Sequence, residues 1–141
     1  LHTLGKHLLL DLRDCGPVLD DLEFLRDALC SAAQQSGVEI LEKSFYHFSP
    51  QGVSGVVLAS GCHIGVHTWP EYGYAALDIY AYNDSFTLDK AAKLLIEKLG
   101  AKESSVVEVE RGERSSERTR QDLTADARVR KHSANLLQPT R

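Results

Sequence analysis

Cysteine is scarce in this 141-residue chain: Cys15, Cys30 and Cys62 are the three, an odd number with no C-x-x-C pair. That excludes a disulfide framework and a paired-cysteine metal site, and it points to a reducing compartment. Long apolar runs are missing too. The longest are strand-sized, so neither a membrane-spanning helix nor a signal peptide is expected, and the cytoplasm is the expected location. Basic residues are few over residues 1–110, where eight Lys/Arg stand against sixteen Asp/Glu, a net of −8. This excludes the basic stripe that a nucleic-acid partner needs, and it would suit a cationic substrate. No repeat of solenoid period occurs. One domain of this length can bury a core without staples.

What is present is concentrated in one stretch, Ser60-Gly61-Cys62-His63-Ile64-Gly65-Val66-His67-Thr68-Trp69-Pro70-Glu71-Tyr72-Gly73. It holds a thiol, two imidazoles, the only tryptophan and a carboxylate between two apolar runs. A plain connection between core strands has no need of such residues. Glycine before Cys62 leaves room for the thiol to turn back on the preceding carbonyl, and the thiolate is the reactive form. Two outcomes are open. Cys62 could attack an external substrate with His63 or His67 as base. Alternatively it could attack its own backbone, giving a thioester whose elimination cuts the chain and blocks the new N-terminus. Cys62 and His67 are an odd number of residues apart, so a straight strand puts them on opposite faces, unless Gly65 hosts a bulge.

Hydrophobic period gives the frame. His7 to Leu12 reads as a buried strand, and Asp14-Cys15-Gly16-Pro17 as a turn. Val18, Leu22, Leu25, Leu29 and Ala32 or Ala33 mark a helix that stops at Ser36-Gly37. In it Cys30 reads as a small buried hydrophobe. Val38 to Phe48, Val53 to Ala59, Ile64 to Trp69 and Tyr74 to Tyr82 read as strands. Asn83-Asp84-Ser85 reads as a turn and cap, and Leu88, Ala91, Ala92, Leu95 and Leu99 as a second helix ending at Gly100. Ser105 to Glu110 is the last strand. The order β-α-β-β-β-α-β, with two helices and four or five strands, predicts an α+β domain: two helices on one face of a mainly antiparallel sheet. From Arg111 onward the charge reverses to eight Lys/Arg against four acids. Residues 113–141 read as a charged tail beyond a domain of residues 1–112, with Ala125 to Leu137 able to form a short helix.

The runs Leu4-Gly5-Lys6-His7-Leu8, Phe45-Tyr46-His47-Phe48-Ser49-Pro50, Gly52-Val53-Ser54-Gly55-Val56-Val57, His67 to Asp78 and Val106 to Gly112 together resemble the small prokaryotic S-adenosylmethionine decarboxylases, over about residues 3 to 112. The His-Thr-Trp-Pro-Glu-Tyr-Gly run is the most specific part. The resemblance implies a two-layer αββα-type sandwich, usually paired into a homodimer. It implies a proenzyme that cuts itself, here between 61 and 62, into β and α chains, the α chain beginning with a pyruvoyl group. That group forms a Schiff base with the substrate amine and takes up the electrons released with carbon dioxide. The product would feed spermidine synthesis.

By position, the resemblance makes Cys62 the pyruvoyl precursor, His67 the residue promoting elimination and Ser54 a processing aid. Phe48 would stack on adenine, Glu71 would hold the ribose hydroxyls, and Asp11 matches a family acid. Tyr82 falls at the proton donor to the decarboxylated carbon. Three positions depart from the family: Cys62 for serine, Gly61 for glutamate and Tyr82 for cysteine. Arg13 also stands where an aromatic is frequent. Arginine or ornithine decarboxylation on the same scaffold is the alternative, and an unprocessed, non-catalytic homologue another. A cysteine hydrolase lacks an orienting acid or oxyanion loop. No metal is implied.

Overall fold

A computed structural model describes residues 3–82, 87–113 and 129–132. Chain order is β1 (Thr3–Arg13), a short 3-10 helix (Pro17–Asp20), α1 (Leu22–Gln35), β2 (Ile40–His47), β3 (Val53–Ala59), β4 (Cys62–Trp69), a 3-10 turn (Pro70–Tyr72), β5 (Tyr74–Ala81), α2 (Leu88–Lys98), β6 (Glu103–Glu113) and β7 (Val129–His132). The seven strands form one sheet in the order β2-β3-β4-β5-β1-β6-β7, with every pair antiparallel. Both helices lie on one face of it, α1 over β2, β3 and β4 and α2 over β1 and β5. The expected α+β layering is what forms.

Period-two alternation decides which face each strand residue takes. Leu8, Leu10 and Leu12 of β1, Ile64 and Val66 of β4, and Leu77 and Ile79 of β5 point to the helices and are buried. They meet Leu25, Leu29, Ala32 and Ala33 of α1 and Ala91, Ala92, Leu95 and Ile96 of α2. β1 is thus covered on one face and alternating, not apolar throughout, and it runs past both ends of the expected His7–Leu12. β2 is shorter than Val38–Phe48 and mostly exposed, as befits an edge strand.

Three other expectations are corrected, and the open alternative at Gly65 is decided. The first helix is two pieces: the 3-10 helix ends before Asp21, whose side chain accepts the Phe24 N–H at 3.0 Å and starts α1. That is ordinary aspartate N-capping. No bulge occurs at Gly65, because β4 keeps unbroken register with β3 and β5; among the described residues the register shifts only between Ile40 and Glu42. The strand number exceeds four or five because all six segments with strand-like patterning form strands and β7 is added. Within Ala125–Leu137, the described residues Val129–His132 are a strand, not a helix, pairing Val106 with His132 through Val109 with Val129. The backbone of β6 would otherwise present an open edge, and a strand satisfies its N–H and C=O groups where a helix could not. The Asn83-Asp84-Ser85 turn lies outside the described residues; the N-cap of α2 is Thr87.

Ile79 is fully buried and Leu41 is exposed on the edge strand. Ile79→Ala should destabilise by about 2–5 kcal/mol, and Leu41→Ala by within about 0.5 kcal/mol, read as shifts of the urea midpoint at constant slope.

Candidate active site

The face away from the helices carries the polar chemistry, arranged in rows by the ladder register. Ser54, His67, Ala76, Asp11 and Ser105 are successive partners across β3, β4, β5, β1 and β6. In that row Ser54 Oγ and His67 Nδ1 are joined by a hydrogen bond of 2.7 Å, and Asp11 accepts from the Tyr74 hydroxyl at 2.6 Å. That bond pushes the Tyr74 phenol up, since it favours the neutral form. Trp69 lies against Tyr74 with ring centroids 5.3 Å apart. Arg13 reaches Ser105 at 2.6 Å, which turns it toward the sheet surface at the row's end. Glu71 sits in the turn after Trp69 and Phe48 beyond the end of β2, both exposed.

A second row holds Leu58, His63, Tyr80, His7 and Val109. Between the rows, Asp78 Oδ2 accepts from His7 Nε2 at 2.7 Å and from His63 Nε2 at 2.9 Å. Burial works to raise the Asp78 pKa, but the two imidazole hydrogen bonds outweigh it and hold the carboxyl below its ordinary value. Gly65 is what lets that carboxylate lie down: a Cβ there would stand 2.6 Å from Asp78 Oδ1. The three donor atoms lie within 4.8 Å of one another, a spacing that suits a metal ion. Arg111 Nη1, however, donates to His7 Nδ1 at 3.2 Å. A guanidinium can only donate, so Nδ1 is the acceptor nitrogen and Nε2 carries the proton given to Asp78. His7 Nε2 therefore has no lone pair for a metal while Arg111 is in place.

The Gly61–Cys62 junction is elsewhere. Ser60 and Gly61 form the tight turn joining β3 to β4, with Gly61 at φ +79, a left-handed conformation that glycine adopts without strain. The Gly61 carbonyl accepts the Tyr82 N–H at 2.9 Å. Cys62 points to the helix face and is 1% exposed, and burial pushes its thiol up to about 12. Cys15 is likewise raised, to about 11, by burial and then by Asp14.

The site residues expected from sequence therefore fall into two groups. Ser54, His67 and Asp11 share one row, with Phe48 and Glu71 near that end of the sheet. Cys62 and Tyr82 lie at the hairpin end, with Cys62 alone on the opposite face. Five residue steps along β4 separate Cys62 from His67, roughly 16 Å at strand rise. Sequence reasoning overlooked Asp78, Thr68 and Asp20. Asp78 was visible in principle, because in a β4–β5 hairpin His63, Gly65 and Asp78 share parity.

Residues 6–112 match the family model described as S-adenosylmethionine decarboxylase. A relative from Thermodesulfovibrio yellowstonii, called S-adenosylmethionine decarboxylase proenzyme, is 40% identical over 79% of this chain and 84% of its own. One of the same name from Clostridium tetani is 42% identical over 79% and 90%. The crystal structure of the adenosylmethionine decarboxylase from Aquifex aeolicus is 32% identical, covers 85% of this chain and 100% of its own, and superposes with a TM-score of 0.74. Fold and family match are those of the pyruvoyl-dependent decarboxylases. The chain belongs to the S-adenosylmethionine decarboxylase family. Among the described residues no helix is long and apolar enough to cross a membrane.

Because the Asp78 carboxyl is depressed in the fold, its stabilising contribution is present above the unfolded value near 3.8 and is lost as pH falls through the lower folded value. Asp78→Asn should lower the urea midpoint at pH 7, and the gap from wild type should narrow as pH drops below that value.

Proposed function

We propose that this chain is a proenzyme that cuts itself between Gly61 and Cys62 and then decarboxylates S-adenosylmethionine, supplying aminopropyl groups for spermidine synthesis. The observation that carries it is the junction itself, a Gly–Cys peptide at a hairpin tip whose carbonyl is already polarised by the Tyr82 N–H. That N–H is aimed where negative charge grows when the carbonyl is attacked.

The cleavage chemistry balances with this chain's own atoms and water. Cys62 Sγ attacks the Gly61 carbonyl carbon; the C–S bond forms, the C–N bond breaks, and the amine keeps the thiol proton. A base then takes the Cα proton of residue 62, and the Cβ–Sγ bond breaks. Gly61 leaves as a thiocarboxylate with the electron pair. Water converts the remaining aminoacryloyl end to a ketone and releases ammonia. The residues present fit the pyruvoyl group in this respect: the junction is strand-held on its 62 side and turn-held on its 61 side. Once formed, that group supplies the electron sink for the bond to carbon dioxide. Around it, Phe48 stacks on the adenine, Glu71 accepts from the ribose hydroxyls, and Asp11, tied to Tyr74, borders the same end of the site. Tyr82, whose hydroxyl can donate, returns the proton to carbon.

Within one chain His67 and Ser54 are too far from Cys62 to serve as that base. A second copy supplies them, and a homodimer is the assembly proposed. The uncovered sheet face supports this, for it exposes Leu9, Val56, Leu58 and Trp69 together. Sheet against sheet with helices outside is the αββα sandwich. The body is the catalytic domain of residues 1–112, and the cytoplasm its location.

The buried thiol favours one second reading, an unprocessed homologue, and a denaturing mass spectrum separates the two. Processing gives fragments 1–61 and 62–141, the second without a free amine and with a reducible carbonyl. The first, when fresh, is heavier than the carboxylate by the difference between sulfur and oxygen. An intact chain rejects the cut. With the thiol at about 12, the cleavage rate should climb about tenfold per pH unit between about pH 7 and 9, following the thiolate fraction. Carbon dioxide release from S-adenosylmethionine, arginine and ornithine in parallel should favour the first.

Cys62→Ala and His67→Ala chains should each be inactive alone. Unfolded and refolded together, they should recover cleavage of the His67→Ala chain. No recovery would argue against a shared site.

A further inference from the structure

The short helix before α1 grips the Phe48 end of the sheet at two neighbouring residues. The Leu19 carbonyl accepts the Thr68 hydroxyl at 2.7 Å, and the Thr68 hydroxyl oxygen in turn accepts the Val53 N–H at 2.9 Å. One residue on, Asp20 Oδ1 accepts both the Gly52 N–H at 2.9 Å and His47 Nε2 at 2.8 Å. The Gly52 carbonyl in turn accepts the Phe48 N–H at 2.8 Å. The segment from Phe48 to Gly52 therefore has both flanks tied to a single carboxylate oxygen.

Such a tie matters because packing does not hold Phe48. Its ring is 48% exposed, touches Tyr46 edge-on with centroids 4.8 Å apart, and is not part of the buried core. Tyr46 is itself 64% exposed. An aromatic platform for a nucleoside binds well only if it is held in place before the ligand arrives, because ordering it on binding subtracts from affinity. With no core contact to do this, the backbone at 48–52 must, and that backbone is fixed from outside by the short helix.

We infer that Asp20 is a positioning residue for the nucleoside part of the substrate, acting through His47 and Gly52 to set where Phe48 stands. This rests on Phe48 being the stacking residue proposed above. Asp20 touches no reacting atom, so its loss should weaken binding and leave the chemistry alone.

The test compares wild type, Asp20→Ala and Asp20→Asn as purified full chains. Asp20→Ala should raise KM for S-adenosylmethionine about tenfold, with kcat and the extent of self-cleavage within about twofold of wild type. Asp20→Asn keeps an oxygen that can accept both bonds and should recover most of the lost KM. The Gly52 amide should exchange as slowly as a strand amide in wild type and faster in Asp20→Ala. An unchanged KM, an equal fall in kcat and kcat/KM, no rescue by asparagine, or a freely exchanging Gly52 amide in wild type would each overturn the inference. Should wild type turn nothing over, the decarboxylase proposal fails. The same comparison then runs on the calorimetric Kd for S-adenosylmethionine, where equal Kd values or absent binding overturn the positioning role as well.

Discussion

Strict alternation along β4 is the constraint on which this molecule turns. With no bulge between Cys62 and Trp69, each residue's face is settled by parity: Cys62, Ile64, Val66 and Thr68 go to the helices, and His63, Gly65, His67 and Trp69 go to the open side. A register slip of one would expose Ile64 and Val66 and bury two imidazoles. The hydrophobic core thus locks the polar face, and the separation of thiol from histidine follows from core packing alone.

The open face is held together by charge matched to donors. Asp78 lies over Gly65 with an imidazole hydrogen bond from either side, and Arg111 settles the tautomer of His7 from the end of β6. Arg111 also stands over the Tyr80 ring, 5.8 Å from its centroid. These residues come from β1, β4, β5 and β6, so four strands must be in register before the cluster exists. It is a product of the fold, and it rigidifies the sheet between the two ends where chemistry is expected.

Much of this was legible in the residues. Leu25, Leu29 and Ala32 announced α1, Leu88 to Leu99 announced α2, and the apolar runs around the Gly-Cys turn announced β3 to β5. What stayed hidden has physical causes. Asp20 and Asp21 are adjacent carboxylates with different work, one capping α1 and one gripping a distant loop, and only the second depends on tertiary structure. The strand at Val129–His132 was hidden because Ala, Leu and Arg nearby favour helix, while the open backbone of β6 decides otherwise. Ser54 and His67 were singled out separately, and only the β3–β4 register shows that they pair. The face of His67 relative to Cys62 was open, since one residue of bulge would have reversed it.

The strand order has a last consequence for any molecule severed after Gly61. The first piece would own β1, β2 and β3, and the second β4 to β7. Yet β1 lies between β5 and β6, and β3 borders β4, so the pieces interlace like the fingers of two hands. Parting them would strip both ladders from β1 and a third from β3, exposing the leucines in between. The halves would stay together without a covalent link, and their unfolding would become a dissociation that depends on protein concentration.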